Sequence, residues 1–489
     1  MDGARRVSTG IPGLDEVLLG GFLPSRTYLV VGAPGTGKTI LALQWLREGA
    51  KHGERSLYIT LAEPISEIMK NAAGFNWDLR GIETVDLSPQ VIAGQESFQE
   101  YRVFPPSEVE EPLLWDRIWQ AVTEHNPQRL VLDPVTILKD LSPDLYQFRR
   151  NLLRLVSRLN AQGLTTILVA EPGDVAEEKT LALVVDGVLR LTRTVGPSRL
   201  VDLRAVEVEK FRGSDYLPGL HPLRITAQGI EVFPHRVFPL VGPAKVGEKI
   251  STGIPGLDQI IDGGLEAGTA TLISGPAGVG KTTLGLHILA SAAQRGIPGV
   301  LYTFEEQPAT LLARTEGVGI PLHSLVNSGK IRILAISPLT FYPDEFFQLV
   351  RRHVEEEGRK MVMLDSLRGY NLAMEEFGSL TAHIHNLAAY LASQGVTSLW
   401  LTEIEKIVGE LSLTELGVSF VFDNAILLRY VERFGQLLRA IGCLKKRGGR
   451  ASPEVREFQI TPHGLRVGEE PLRIPGFFSG IAKTKEREG

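Results

Sequence analysis

Two tandem α/β domains, each a mostly parallel sheet flanked by helices with a β-rich C-terminal edge, are predicted by three observations. The chain repeats itself once at long range. Each repeat alternates short apolar runs with amphipathic helical runs. Each repeat also places one glycine-rich loop between such an apolar run and such a helix.

The repeat comes first because it fixes the domain count. Ser8-Thr9-Gly10-Ile11-Pro12-Gly13-Leu14-Asp15 recurs unchanged as Ser251-Thr252-Gly253-Ile254-Pro255-Gly256-Leu257-Asp258, 243 residues further on. The glycine-rich loops at Gly32 and Gly275 keep that spacing, as do Glu63 and Glu306. Late basic segments, Lys210-Phe211-Arg212-Gly213 and Lys445-Lys446-Arg447-Gly448, are 235 residues apart. Several ordered matches exclude chance, and the period is too long for a solenoid repeat. The chain of 489 residues also exceeds what one hydrophobic core ordinarily supports. Pro234, Pro239, Gly242, Pro243 and Gly247 cluster at the join. The expected organisation is a first domain over residues 1–236, a linker over 237–247, a second domain over 248–468 and a flexible C-terminal tail over 469–489.

The elements follow from apolar periodicity. In the first repeat strands are expected at Arg26–Val31, Ser56–Leu61, Arg129–Asp133 and Thr165–Ala170, with helices at Thr39–His52 and Tyr146–Gln162. In the second, strands are expected at Ala270–Ser274, Val300–Phe304, Lys360–Asp365 and Thr397–Thr402, with helices at Thr282–Gln294 and Glu376–Ser393. Alternating β and α runs imply a parallel sheet with helices on its faces. Val201–Arg212 and Gln436–Arg447 close the repeats with further strand sequence.

Composition narrows the function classes. Hydrophobic residues make up 43% and charged residues 22%, as in a soluble globular protein. The net charge of −5 offers no global basic field, which weighs against nucleic acid as a partner. Cys443 stands alone, so no intrachain disulfide forms and a reducing cytoplasm is the expected setting. Met1 to Thr9 lacks the apolar core of a signal peptide, and no run approaches the ~18 apolar residues of a membrane span.

Gly32-Ala33-Pro34-Gly35-Thr36-Gly37-Lys38-Thr39 and Gly275-Pro276-Ala277-Gly278-Val279-Gly280-Lys281-Thr282 both fit G-x-x-x-x-G-K-[ST]. Such a loop wraps its backbone N–H groups around phosphate oxygens, and the following helix, here beginning with Thr282-Thr283 in the second repeat, presents its positive end to them. ATP with Mg²⁺ is the expected ligand. Lys38 and Lys281 would reach the β- and γ-phosphates, and Thr39 and Thr282 would ligate the metal. Asp133 and Asp365, each ending an apolar strand, are the expected second metal anchors. Glu305-Glu306 ends the strand after the second loop's helix, where a carboxylate can activate water. The first repeat has Ala62-Glu63 there, with one carboxylate fewer.

These motifs, with Phe304-Glu305-Glu306, Asp423-Asn424-Ala425-Ile426-Leu427-Leu428-Arg429-Tyr430-Val431 and Arg456-Glu457-Phe458-Gln459-Ile460-Thr461, resemble the KaiC family of RecA-like ATPases from about Val7 to about Val467. The resemblance implies two tandem RecA-like P-loop NTPase domains and a double-ring homohexamer with ATP between adjacent subunits. It implies that Glu305 is the general base of the second site, with Glu306 assisting. It implies that Lys210 and Arg212 in the first ring, and Arg439, Lys445 and Arg447 in the second, reach the neighbouring subunit's nucleotide. It also implies autophosphorylation in the second domain. The family's Ser-Thr acceptor pair falls on Ser419-Phe420, so Ser419 remains and Thr414 lies nearby as a second candidate, but a two-site cycle through that pair is excluded. Ala62 and Pro134 are further departures. Two other readings share the fold: a RecA/RadA-type DNA-dependent ATPase, and a nucleotide-gated scaffold with a weakly hydrolysing first ring.

Overall fold

The apolar runs that end at each glycine-rich loop form the middle strand of a sheet covered on both faces, which is why every residue in them is buried. The computed structural model describes residues 6–75, 77–89, 106–194, 202–238, 248–374, 379–404, 420–433, 435–472 and 477. The chain divides into two compact units, Met1–Arg236 and Val237–Gly489.

In the first unit the strands are β1 (Thr27–Gly32), β2 (Ser56–Thr60), β3 (Ile82–Asp86), β4 (Arg129–Asp133), β5 (Thr165–Ala170), β6 (Gly187–Thr194), β7 (Leu203–Phe211), β8 (Leu220–Thr226) and β9 (Gly229–Val232). They form one nine-stranded sheet in the order β3-β2-β4-β5-β1-β6-β7-β8-β9. It is parallel from β3 through β6 and antiparallel from β6 onward. Alternation along β1 separates the two faces. Tyr28 and Val30 pack with Leu41 and Leu46 of the helix Lys38–Lys51. Leu29 and Val31 pack with Phe148, Leu152, Leu155 and Leu159 of the helix Leu145–Ala161.

The second unit opens with a short ribbon of β10 (Lys249–Ile250) and β11 (Leu265–Glu266). It continues with β12 (Ala270–Gly275), β13 (Gly299–Thr303), β14 (Ile331–Ala335), β15 (Met361–Asp365), β16 (Thr397–Glu403), β17 (Asn424–Arg433), β18 (Gln436–Lys446), β19 (Arg456–Thr461) and β20 (Gly464–Pro471). The order β14-β13-β15-β16-β12-β17-β18-β19-β20 repeats the first sheet strand for strand. The predicted mostly parallel sheets with a β-rich C-terminal edge are therefore present in both units.

Two details differ from the sequence reading. The helix expected from Glu376 begins at Leu380, because the Ser379 side chain caps it by accepting from the Ala382 N–H. The second unit also continues past residue 468. β20 runs to Pro471, and Leu472 and Phe477 bury themselves in one cluster with Leu427. Arg429 ties Phe477 down by donating to its carbonyl at 2.8 Å. Most of the linker expected at 237–247 lies outside the described residues.

The duplicated octapeptide closes on its own aspartate. Asp15 accepts from the Ser8 hydroxyl and from both the N–H and hydroxyl of Thr9, at 2.6–2.8 Å. Asp258 does the same for Ser251 and Thr252. The knot docks fully buried Leu14 and Leu257 into their cores. Its role is architectural. Asp258→Ala leaves three donors without their acceptor and is expected to lower the second unit's stability by about 2 kcal/mol or more. A lowered urea midpoint for that unit, with the first unit unchanged, is the measurement that checks this.

Candidate nucleotide sites

Each loop leaves its strand at a glycine pressed against the next strand. A Cβ on Gly32 would lie 2.5 Å from the Leu191 carbonyl oxygen, and one on Gly275 would lie 2.6 Å from that of Leu428. Gly35 and Gly37, and Gly278 and Gly280, have φ between +72° and +109°, which glycine adopts without strain. The curl ends at the helices Lys38–Lys51 and Lys281–Gln294. Thr283, in the first turn of the second, is buried. Lys38 folds back onto the loop, donating to the carbonyls of Gly32 at 2.7 Å and Ala33 at 3.3 Å. Lys281 donates to the Pro276 carbonyl at 2.9 Å. Burial pushes both ammonium pKa values down, opposed by Glu171 and Asp133 in the first site and by Glu403, Asp365 and Glu305 in the second.

The strand-end aspartates meet the loop threonines. Asp133 accepts from the Thr39 hydroxyl at 2.9 Å and from the Tyr58 hydroxyl at 2.7 Å. Asp365 accepts from Thr282. Burial raises the carboxyl pKa of Asp133. Asp365 is pushed up to about 6 by burial, with Glu305 and Glu306 adding to the rise. Acids held this way gain from a nearby cation, which restores the charged form. Among the described residues no group of three or more His, Cys, Asp or Glu side chains makes a metal cage. A cation here would share its coordination between a threonine–aspartate pair and the oxygens of phosphate and water, which fits Mg²⁺.

The carboxylates at the ends of β2 and β13 separate the two sites. Glu305 accepts from the Ser366 hydroxyl at 2.5 Å. Glu306 turns instead to Arg314, 3.1 Å away. In the first unit Ala62 and Glu63 hold these positions, and Glu63 is exposed at the cavity edge beside Lys38 and Thr39. Glu171 and Glu403, which directly follow or end β5 and β16, act electrostatically on the loop lysines. Sequence reasoning missed this pair, although their spacing of 232 residues equals that of Asp133 and Asp365.

The basic residues divide by sheet end. Gly32 pairs with Leu191, whereas Phe211 pairs with Gly187, so Lys210 and Arg212 sit at the end of the sheet away from their own loop. Lys445 and Arg447 do likewise, because β18 pairs Lys446 with Asn424 and β17 pairs Asn424 with Thr271. The two lysines are not extended outward. Lys210 donates to the carbonyls of Ala182 and Val185, and Lys445 to that of Phe422 at 2.6 Å. They satisfy carbonyls at the end of the helix Val175–Val184 and just before β17. Arg212 is exposed, and exposed Arg447 donates to the Phe420 carbonyl at 3.0 Å.

Arg439, expected to reach a neighbour, lies at the other end, beside its own loop. It pairs across the hairpin with Tyr430 and stacks over that ring at 5.9 Å. A Cβ on Gly278 would lie 3.3 Å from the Tyr430 hydroxyl. The first unit has Arg204 in this place, donating through Nε to the Gly35 carbonyl at 3.3 Å. Arg193 occupies the tyrosine's place and is paired with Asp202 at 2.7 Å. Neither arginine was singled out from sequence. The signal was available, since Arg204 precedes Arg439 by the 235 residues that separate the late basic segments.

A cavity of about 350 Å³ opens beside Lys38 and Thr39 and runs along Ile40, Leu43, Ile68 and Ile225 to Phe75 and Trp77. The two rings stack at 4.8 Å, and the Trp77 Nε1–H donates to the Gln228 carbonyl at 3.1 Å. Val318 and Ile320 hold the matching positions in the second unit. Thr414 and Ser419 lie outside the described residues. No described helix is long and apolar enough to cross a membrane.

A P-loop at a helix start, a threonine–aspartate hydrogen-bonded pair beside it and a parallel sheet ending at both define a P-loop nucleoside-triphosphatase, present twice. The ATPase family model described as KaiC matches residues 7–237 and 250–471. The chain is 29% identical to the circadian clock protein KaiC3 of Synechocystis sp. (strain ATCC 27184 / PCC 6803 / Kazusa), over 98% of this chain and 95% of that one. It is 30% identical to the circadian clock oscillator protein KaiC of Picosynechococcus sp. (strain ATCC 27264 / PCC 7002 / PR-6), over 98% and 92% respectively. The chain belongs to the KaiC family of ATPases, and ATP binding follows from that membership.

Proposed function

We propose that the second unit is the hydrolytic site and that the first is a nucleotide-holding site. The observation that carries this is the contrast at one pair of positions. Glu305 stands at the end of β13 with a hydroxyl partner, and Ala62 stands at the end of β2 with none. At the second site Glu305 takes a proton from water as its oxygen attacks the γ-phosphorus. The bond from that phosphorus to the β-phosphate's bridging oxygen breaks, leaving ADP and inorganic phosphate. Lys281 and the loop N–H groups bind the β- and γ-phosphates, and Thr282 and Asp365 hold Mg²⁺, which supplies charge neutralisation when bound. At the first site Lys38, Thr39 and Asp133 keep the same binding parts. Phe75 and Trp77 there add an aromatic wall for the base, and Arg193 and Arg204 add positive charge beside the loop.

The same reading assigns the chain to a homohexamer of two stacked rings acting in regulation or signalling. Sheet ends support it. Arg212 and Arg447 cannot serve their own loops from the far end of the sheet, so any phosphate they meet belongs to another subunit. A cation supplied that way stabilises charge in the transition state. Self-phosphorylation at Ser419 or Thr414 is part of this reading, and phosphate found on either after incubation with Mg-ATP would support it.

Subunit mixing tests the shared site. Lys281→Ala and Arg447→Ala chains are each expected to lose most second-site turnover when assembled alone. Mixed hexamers contain interfaces with an intact loop from one chain and an intact arginine from the next, and should regain a measurable fraction. No recovery on mixing, with hexamers confirmed by sedimentation, would contradict a site shared between subunits.

A further inference from the structure

Glu305 is exposed on its free side, and its position depends on what holds the other. The Ser366 hydroxyl, buried at the start of the segment after β15, donates to Glu305 Oε1 at 2.5 Å. That hydroxyl in turn lies 3.5 Å from the Gly369 N–H, whose donation to Ser366 Oγ turns its proton toward Glu305. Gly369 is required at this spot for space. A Cβ there would lie 2.4 Å from the Phe304 Cβ and 3.7 Å from the Glu305 Cγ. The helix Leu367–Met374 can therefore press against the end of β13 only because residue 369 has no side chain.

The first unit lacks every part of this cradle. Counting from the metal aspartates, Pro134 stands where Ser366 is and Ile137 where Gly369 is, while Ala62 stands for Glu305. Proline has no hydroxyl to donate, and isoleucine carries the side chain that Gly369 lacks. Ser366 and Gly369 lie three residues apart and more than 60 residues from Glu305, yet meet it in space in the second unit. A carboxylate and the two residues that position it are present together or absent together.

We infer that Ser366 is a positioning residue for hydrolysis at the second site, fixing one oxygen of Glu305 so that the other faces the attacking water, with Gly369 admitting the segment that carries it. The inference rests on Glu305 being the group that takes the water's proton. Held by one hydrogen bond, the carboxylate stays in one orientation and loses less entropy at the moment of reaction.

The test uses the full chain carrying Lys38→Ala, so that only the second site turns over. Ser366→Ala should lower kcat about tenfold, the scale of one hydrogen bond to a charged group, with KM for ATP unchanged. Ser366→Thr keeps the hydroxyl and should recover most of that loss. In a Glu305→Gln background the same Ser366→Ala change should cost less than about twofold, since the group it positions is gone. An equal loss in both backgrounds, or a rise in KM with kcat intact, would overturn the positioning role while leaving the base assignment standing. Full turnover in Glu305→Gln alone would overturn the base assignment and this inference with it.

Discussion

Glu305→Gln is expected to reduce steady-state ATP hydrolysis at the second site by about a hundredfold or more, while ATP still binds there. General-base removal costs on the order of 10²- to 10⁴-fold when the base acts on the attacking group. The amide keeps the size of the carboxylate and an oxygen for the Ser366 hydroxyl, so the local packing around Phe304 and Gly369 is preserved. Lys281→Ala should be equally severe for another reason, since it removes the cation that the phosphates need to bind and leave. The two variants separate on binding. Glu305→Gln should retain nucleotide at the second site, measured by filter retention of labelled ATP, and Lys281→Ala should not. Glu306→Gln is expected to do much less, because Arg314 already occupies that carboxylate.

The second large effect lies in the first site and is on retention. Trp77→Ala should release nucleotide from the first unit roughly tenfold to a hundredfold faster, because stacking on an aromatic ring is worth about 1–3 kcal/mol per base. The ring is held from three sides. Phe75 stacks on it, the Gln228 carbonyl accepts from its Nε1–H, and the Arg47 guanidinium lies 5.6 Å over it. The second unit has only Val318 and Ile320 there and should release its nucleotide faster in the wild-type chain. Dissociation of a fluorescent ATP analogue from chains carrying Lys38→Ala or Lys281→Ala reads each site alone. The slow phase should disappear with Lys38→Ala and shorten with Trp77→Ala.

Much of this was legible in the sequence because it is written in contiguous residues. The loops, their lysines and threonines, and the aspartates ending Arg129–Asp133 and Met361–Asp365 each occupy one short window whose spacing dictates its geometry. The octapeptide repeat fixed the two domains for the same reason. What escaped were contacts set by strand order. β13 lies beside β15 rather than beside its sequence neighbour β12, so Glu305 meets Ser366 across a gap that no local pattern bridges. Arg193 and Arg204 reach Gly35 only because β6 pairs beside β1 and β7 folds back onto β6. Lys210 and Lys445 were given outward roles by the family resemblance, which carries no information on their local partners. The carbonyls that accept their hydrogen bonds come from residues 25 or more positions away in the first unit and 23 away in the second. The tail boundary moved for a simpler reason: Leu472 and Phe477 are apolar and find a core to enter.

The two units are one fold with different chemistry at the ends of β2 and β13. The first keeps what binds a nucleoside triphosphate and lacks the cradle that would position a base. The second has the cradle, with Val318 and Ile320 in place of the two aromatic rings. The measurement that tests this most directly is steady-state ATP hydrolysis by two full-length variants, Lys38→Ala and Lys281→Ala, under identical conditions. The account predicts that Lys38→Ala, with only its second site intact, keeps most of the wild-type turnover and that Lys281→Ala loses most of it. Equal turnover by the two variants, or the reverse order, would contradict it.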